Sequence, residues 1–421
     1  MKSNAPNFLD AIPALRAIED GSLSSESLVR ACLERIADRD PQVLAFAAID
    51  IDRSLAQARE TDGSAARGRL RGLPFAAKDV LDTADFVTSY GSPIYAGHRP
   101  AADAACVAAA KEAGAILLGK TATCEFATLT PCATRNPHDL QRTPGGSSSG
   151  SAAAVADYMV PVAFGTQTSA STIRPAAYCG VVGYKPSFGL INSSGLKHAS
   201  PGLDTISVFT RSIADARYFI HGRVTDAPFE NPRIALCLSR QWDDARPETV
   251  NALNAFCKIL ERAGARVSTV HLPARLEATI ALQGRLSAYE ARQSLTHERA
   301  THYQMLSPRL QARVESEKNM STAEYLEIMR QVSAARQEAT ELFRDADALL
   351  YPAADGEAEL GMETGSPRFG GLWTLLHLPA LSLPIGSGPA GLPLGAQLIG
   401  SAADDLRLLA VAAFAERALR S

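Results

Sequence analysis

Apolar residues at helical spacing mark the first part of the chain. Leu28, Val29, Cys32, Leu33 and Ile36 recur at intervals of three and four behind Ser25. This predicts an amphipathic helix with Ser25 as its N-cap, within an N-terminal helical segment over residues 1–60. The period then changes. Gly72-Leu-Pro-Phe-Ala-Ala-Lys78 reads as a short apolar strand delivering a lysine, Asp103 to Gly114 as a helix, and Ala115 to Gly119 as the strand after it. Next comes a Gly- and Ser-rich loop from Thr143 to Ser151, an Ala-rich segment to Met159, an apolar strand from Val160 to Phe164, and a second loop of small and hydroxyl residues from Gly165 to Pro175. Two such loops therefore flank one helix–strand unit. Beyond a polar, Pro-containing joint around Val224 to Pro232, amphipathic helices are predicted at Glu248 to Ala263 and Ser321 to Arg344. Strands are predicted at Arg266 to Val270 and Ala346 to Tyr351, and a closing helix at Asp404 to Leu419. No internal repeat interrupts this order.

Composition narrows the class. With 421 residues, 46% of them hydrophobic and 21% charged, the chain can bury a large core, which excludes disordered, collagen-like and coiled-coil classes. Length alone suggests about three domains at roughly 150 residues each. A formal charge of -3 with no basic block leaves no nucleic-acid footprint and points to small-molecule chemistry. The seven cysteines are odd in number, form no CxxC pair and mostly sit in apolar stretches, as expected of reduced thiols in a cytoplasmic protein. Met1 to Asp10 has no apolar core and no run of 18 apolar residues occurs, so neither secretion nor a membrane span is expected. Apolar helix faces are compatible with a homodimer.

Several motifs compete for the chemistry. Gly146-Ser-Ser-Ser-Gly150 fits G-x-S-x-G with Ser148 as nucleophile, but the polar stretch before it ends in Pro144 where that elbow needs a strand. Ser194-Gly-Leu-Lys197 fits S-x-x-K, yet its partner motifs are missing. The phosphate-loop patterns G-x-x-x-x-G-K-[ST] and G-x-G-x-x-G are absent. The eight histidines are scattered without metal-ligand spacing, so no metal and no organic cofactor is expected. Serine chemistry driven by a lysine remains. A serine hydroxyl needs a base, and a lysine serves as one when desolvation depresses its pKa from about 10.4. Lys78, between Ala76-Ala77 and Val80-Leu81, has the apolar setting for this, the alternative being a lysine that snorkels or pairs with Asp79 or Asp82.

Three stretches then carry a resemblance: Gly72-Leu-Pro-Phe-Ala-Ala-Lys78-Asp-Val-Leu-Asp-Thr83, Pro144-Gly-Gly-Ser147-Ser148-Ser149-Gly-Ser-Ala152, and Ser171 followed by Pro175-Ala-Ala-Tyr-Cys-Gly-Val-Val-Gly-Tyr-Lys-Pro186. Together they resemble the amidase signature family, densely over residues 65–205, and Gly391-Leu-Pro-Leu-Gly-Ala-Gln-Leu-Ile-Gly400 resembles its C-terminal signature. The wording around Gly165 is most similar to the short, malonamidase-like branch. The resemblance implies a single α/β domain over residues 1–421: a large mixed sheet covered by helices on both faces, with residues 230–421 completing the sheet and the substrate pocket. It implies a Ser-cisSer-Lys triad with Lys78 as base, Ser147, behind a cis Gly146–Ser147 peptide, as bridge, and Ser171 as the nucleophile that forms an acyl-enzyme. It places the oxyanion hole at Thr168, Ser169, Ala170 and Ser171, and substrate contacts at Thr166, Gln167, Ser148 and Arg174. Two departures stand out. Ser169-Ala170 replaces the family's common Gly-Gly, which would strain the loop wherever φ is positive. Arg174 lies one place nearer the proline than usual; if Ser171 opens a helix, Arg174 sits at i+3 and can grip a substrate carboxylate in a forked contact, unless an acidic residue claims it. The expected substrate is a small carboxylate-bearing amide. The alternatives are a catalytically silent member with an altered oxyanion loop and a glutaminase-type, amidotransferase A-like subunit. Leu372 to Pro379 is expected at the pocket mouth.

Overall fold

The structure is a computed structural model that describes residues 5–64, 68–222 and 229–420. Its strands are β1 (Phe46–Ile49), β2 (Pro74–Lys78), β3 (Ile116–Thr121), β4 (Val162–Gln167), β5 (Val182–Lys185), β6 (Thr205–Thr210), β7 (Arg233–Leu238), β8 (Arg266–His271), β9 (Ala348–Pro352), β10 (Ala380–Ser387) and β11 (Pro393–Ile399). All join one 11-stranded sheet in the order β1-β3-β2-β4-β6-β5-β10-β11-β9-β7-β8. Pairing is parallel where β2 meets β3 and β4 and where β7 meets β8 and β9, and antiparallel elsewhere, so the sheet is mixed. One sheet running from residue 46 to residue 399 overrides the length-based expectation of about three domains.

Strand alternation divides the interior into two cores. Ile234, Ala348, Leu350, Leu381, Leu383, Ala396 and Leu398 face one cluster, together with helices Ser25–Val43, Pro247–Arg262 and Asp405–Ala418. Their neighbours Ala235, Cys237, Leu349, Tyr351, Ala380 and Ile399 face the other, with helices Ile173–Cys179 and Arg368–Leu375. Helices therefore cover both faces, and central strands such as β4, β5 and β6 are buried at every position because neither face meets water.

Local chemistry adjusts several boundaries. Ser24, not Ser25, caps the first long helix, accepting from the Ser27 amide, while Leu28, Val29, Cys32, Leu33 and Ile36 are buried as their spacing predicts. β4 starts at Val162 instead of Val160, after Pro161, which has no N–H for the ladder. Ser321 forms a capping box with Glu324, but the α-helix it opens ends at Glu338 and continues as a 3-10 turn, Ala339–Phe343. Of the expected joint, residues 224–228 lie outside the described residues. Among the described residues no helix is long and apolar enough to cross a membrane.

Candidate active site

Lys78 ends β2, and its burial follows from its position: β2 is enclosed between β3 and β4 and buried at every residue. Its ammonium nitrogen reaches Ser147 Oγ at 2.9 Å and Thr166 Oγ1 at 2.8 Å. Burial lowers its pKa to about 7. Neither Asp79 nor Asp82 claims it. Asp79 pairs with Lys120 at 3.2 Å and accepts from Ser89, and Asp82 accepts from Tyr90. Lys120 is buried as well, but it sits on Leu81 O and Thr88 Oγ1 besides Asp79, and Lys185 bonds to Pro186 O. Lys78 differs from both in that hydroxyls are its only hydrogen-bond partners among the described residues.

The Gly145–Ser147 loop reaches Lys78 across the start of helix Ser149–Ala156, and the Gly146–Ser147 peptide is cis. A Cβ at Gly145 would meet Pro175 Cα at 2.9 Å, so the bare glycine lets this loop lie directly on helix Ile173–Cys179, just beyond Ser171. Arg174 ties the same two segments together by donating to Gly146 O. The helix begins at Ile173, and the Arg174 amide bonds to Ala170 O at 3.0 Å, so Ser171 sits in the turn leading into it.

Behind Ser171, the 167–170 loop is held through its carbonyls and side chains. Gln167 Oε1 accepts from the amides of Thr172 (2.9 Å) and Ile173 (3.1 Å), while its Nε2 donates to Thr374 Oγ1 (3.0 Å). Thr168 donates to Asp204 at 2.6 Å, Gln283 donates to Thr168 O and Ser169 Oγ, and Thr374 donates to Ser169 O. The N–H groups of Ser169, Ala170 and Ser171 meet no acceptor among the described residues. Neither Ser169 nor Ala170 has a positive φ, so the strain expected from replacing Gly-Gly does not arise. The space for the extra methyl comes from Gly370, where a Cβ would meet Ala170 Cβ at 2.7 Å.

Other expectations change. Ser148, Thr166 and Gln167, expected at the substrate, spend their polar groups inside the protein: Ser148 Oγ bonds with Thr166 O and N, Thr166 Oγ1 serves Lys78, and Gln167 caps the helix after Ser171. Leu372 to Pro379, expected at the pocket mouth, turns inward instead, since Leu372, Trp373, Leu375, Leu376 and Leu378 are all core residues. Lys197 pairs with Glu298, which removes it from the S-x-x-K reading. Arg174 is buried, its Nε and Nη1 have no hydrogen-bond partner, and no carboxylate lies within ion-pair distance among the described residues. The loop's supports, Asp204, Gln283, Thr374 and Gly370, carry no local motif. Thr374 and Gly370 both lie on helix Arg368–Leu375, and that spacing is the signal for them.

A family model described as Amidase matches residues 27–409. The A subunit of a glutamyl-tRNA(Gln) amidotransferase from Oleidesulfovibrio alaskensis is 32% identical, over 94% of this chain and 94% of that protein. Among solved structures, one described as an amidase is 28% identical with a TM-score of 0.89, covering 97% of this chain and 99% of that one. The native peptide amidase from Stenotrophomonas maltophilia is also 28% identical, with a TM-score of 0.84, covering 98% and 97%. A buried lysine on a serine hydroxyl, in a chain matched almost end to end, places this protein in the amidase family, as an enzyme that cleaves amide bonds.

Proposed function

We propose that this amidase hydrolyses a small, carboxylate-bearing amide through an acyl-enzyme on Ser171. The observation that carries the reading is Lys78, buried, its pKa lowered to about 7 so that a substantial share is neutral near that pH, and aimed at Ser147 Oγ. Neutral Lys78 takes the Ser147 proton as Ser147 takes that of Ser171, and Ser171 Oγ attacks the amide carbonyl. The N–H groups from Thr168 to Ser171 receive the oxyanion, each donor worth roughly 3 kcal/mol in the transition state. As the tetrahedral intermediate collapses, the relay returns the proton to the leaving nitrogen, and water then hydrolyses the acyl-enzyme. Thr166, Gln167 and Ser148 hold this apparatus in place. The unpartnered Nε and Nη1 of Arg174 offer the substrate carboxylate a charged donor, because leaving guanidinium donors buried and unsatisfied costs more than an ordinary hydrogen bond returns.

The test combines intact mass after a serine-reactive fluorophosphonate with ammonia release from monoamides of short dicarboxylic acids. One adduct, lost in Ser171→Ala, is expected. Arg174→Leu should cripple turnover of an anionic amide and spare a neutral one; equal losses on both would remove the clamp. The 32% identity to an amidotransferase subunit favours one second reading, a partner-dependent glutaminase. Ammonia release from glutamine that exceeds release from every monoamide would select it.

A further inference from the structure

We infer that residues 361–365 form a lid over Arg174, latched by the Glu363–Arg309 ion pair, and that an anionic substrate enters only when this lid lifts. The consequence for turnover rests on the role proposed above for Arg174; the lid itself does not.

Arg174 has to be reached before it can hold a carboxylate, and it is sealed. It is 4% exposed, and its Nε and Nη1 are buried without a partner. The segment that lies on it is 364–365. A Cβ at Gly365 would come within 3.1 Å of Arg174 Cδ and 2.7 Å of Tyr178 OH. A Cβ at Gly146, whose carbonyl Arg174 holds, would come within 2.7 Å of Thr364 Cγ2. Tyr178, the other neighbour, is a core residue on the same helix as Arg174 and belongs to the packed frame. Thr364 and Gly365 belong to a segment of a different kind.

That segment turns at a glycine on each end. Gly361 (φ +86°) and Gly365 (φ +78°) both take the left-handed conformation that glycine adopts without penalty. Upstream, the chain is tied to its neighbours: the Thr143 amide donates to Glu359 O at 3.1 Å, and the Gly361 amide donates to Gln141 O at 2.9 Å. Downstream, helix Arg368–Leu375 begins. Between these anchors, Met362, Glu363, Thr364 and Gly365 make no backbone hydrogen bond among the described residues. Their polar tie is Glu363, which accepts from Arg309 Nη1 at 2.6 Å and Nη2 at 2.7 Å. Both side chains of that pair are exposed, so water and salt weaken it. Lifting the segment therefore breaks one exposed ion pair and no backbone ladder, which puts it at the low end of local stability. Arg309 stands on helix Pro308–Ser316, so the latch joins the lid to a separate wall of the site.

Phenylglyoxal, which modifies accessible arginines, reads the lid at Arg174 by peptide mass. With the latch removed in Glu363→Gln, Arg174 should react roughly twofold to fivefold faster than in the wild type, the range set by an exposed ion pair. The KM of a short dicarboxylic monoamide should fall by a similar factor with kcat unchanged, because a lid that is mostly closed weakens apparent affinity by its open fraction. Thr364→Cys supplies the opposite state. Thr364 Cγ2 and Cys124 Sγ lie 2.7 and 3.0 Å from one point, the place of a Cβ on Gly146, so a cysteine at 364 sits beside Cys124. Once oxidised, and identified by the link between tryptic peptides 121–135 and 345–368, this variant should leave Arg174 unmodified until dithiothreitol reopens it. Equal Arg174 reactivity in the wild type and Glu363→Gln, or modification that persists in the linked protein, would overturn the lid. If the reactivities shift as expected while Arg174→Leu still turns over the monoamide, the lid stands and the carboxylate contact falls.

Discussion

Lys78 can accept a proton only while it carries none. With its pKa lowered to about 7 by burial, the protonated form dominates below that pH and the neutral base above it. kcat/KM should therefore rise roughly tenfold per pH unit below about 7 and level off above. A profile flat from acid to alkaline would mean that another group is the base. Thr166 Oγ1 favours the charged lysine by accepting from it, so Thr166→Val should move the inflection to lower pH, by roughly half a unit to one unit if that hydrogen bond is worth about 1 kcal/mol. An upward move would contradict that account of the lysine. At this scale the sequence points to Lys78 through its apolar neighbours, and to the two serines through the resemblance. Asp204 and Gln283 stay hidden, because each reaches Thr168 from a remote segment and local sequence records no such contact.

Helix Arg368–Leu375 and the 167–170 loop fit each other at a single glycine. A methyl at Gly370 would come within 2.7 Å of Ser169 O and 2.8 Å of Ala170 Cα, both backbone atoms, so Gly370→Ala must displace the loop that positions Ser171. Labelling of Ser171 should fall steeply, with about 1–3 kcal/mol lost from stability by overpacking. Wild-type labelling in this variant would show that the loop is not set by the helix. Gln167→Leu tests the same unit from its other side, leaving the amides of Thr172 and Ile173 without their acceptor, at roughly 1–3 kcal/mol in urea unfolding. Elements with strong local signals are legible in the sequence, among them the Ser25–Val43 helix, β2 and the closing helix. β10 and β11 are not, since Pro384 and Gly386 in one and Pro393 and Gly395 in the other read locally as strand breakers. Helix Pro308–Ser316 carries a start signal, Ser307 as N-cap and proline at the first turn, but it is short for a periodic one.

Over the whole molecule, the segment that carries the lysine and serines and the segment that follows residue 230 meet inside the sheet, not across a linker. β5 pairs with β10 from Lys185↔Ala380 to Gly183↔Ser382, in the middle of the strand order. Helix Asp405–Ala418 fastens the same seam: Asp405 accepts from Tyr184 OH (2.6 Å), the Ser187 amide (2.8 Å) and Ser187 Oγ (2.6 Å). Neither segment can keep its core once the other is gone, so unfolding should be one cooperative event despite the chain's length. Trp242 and Trp373 both lie beyond residue 230. Their fluorescence therefore reports the second segment, whereas far-UV circular dichroism reports all of it, and the two denaturation curves should coincide. Asp405→Ala strands three buried donors at the seam and should lower the common midpoint, by roughly 2–4 kcal/mol in unfolding free energy, without separating the curves. A tryptophan transition that departs from the dichroism curve, in either protein, would mean that the residues after 230 fold as a unit of their own and that the active-site loops stand on a divided sheet.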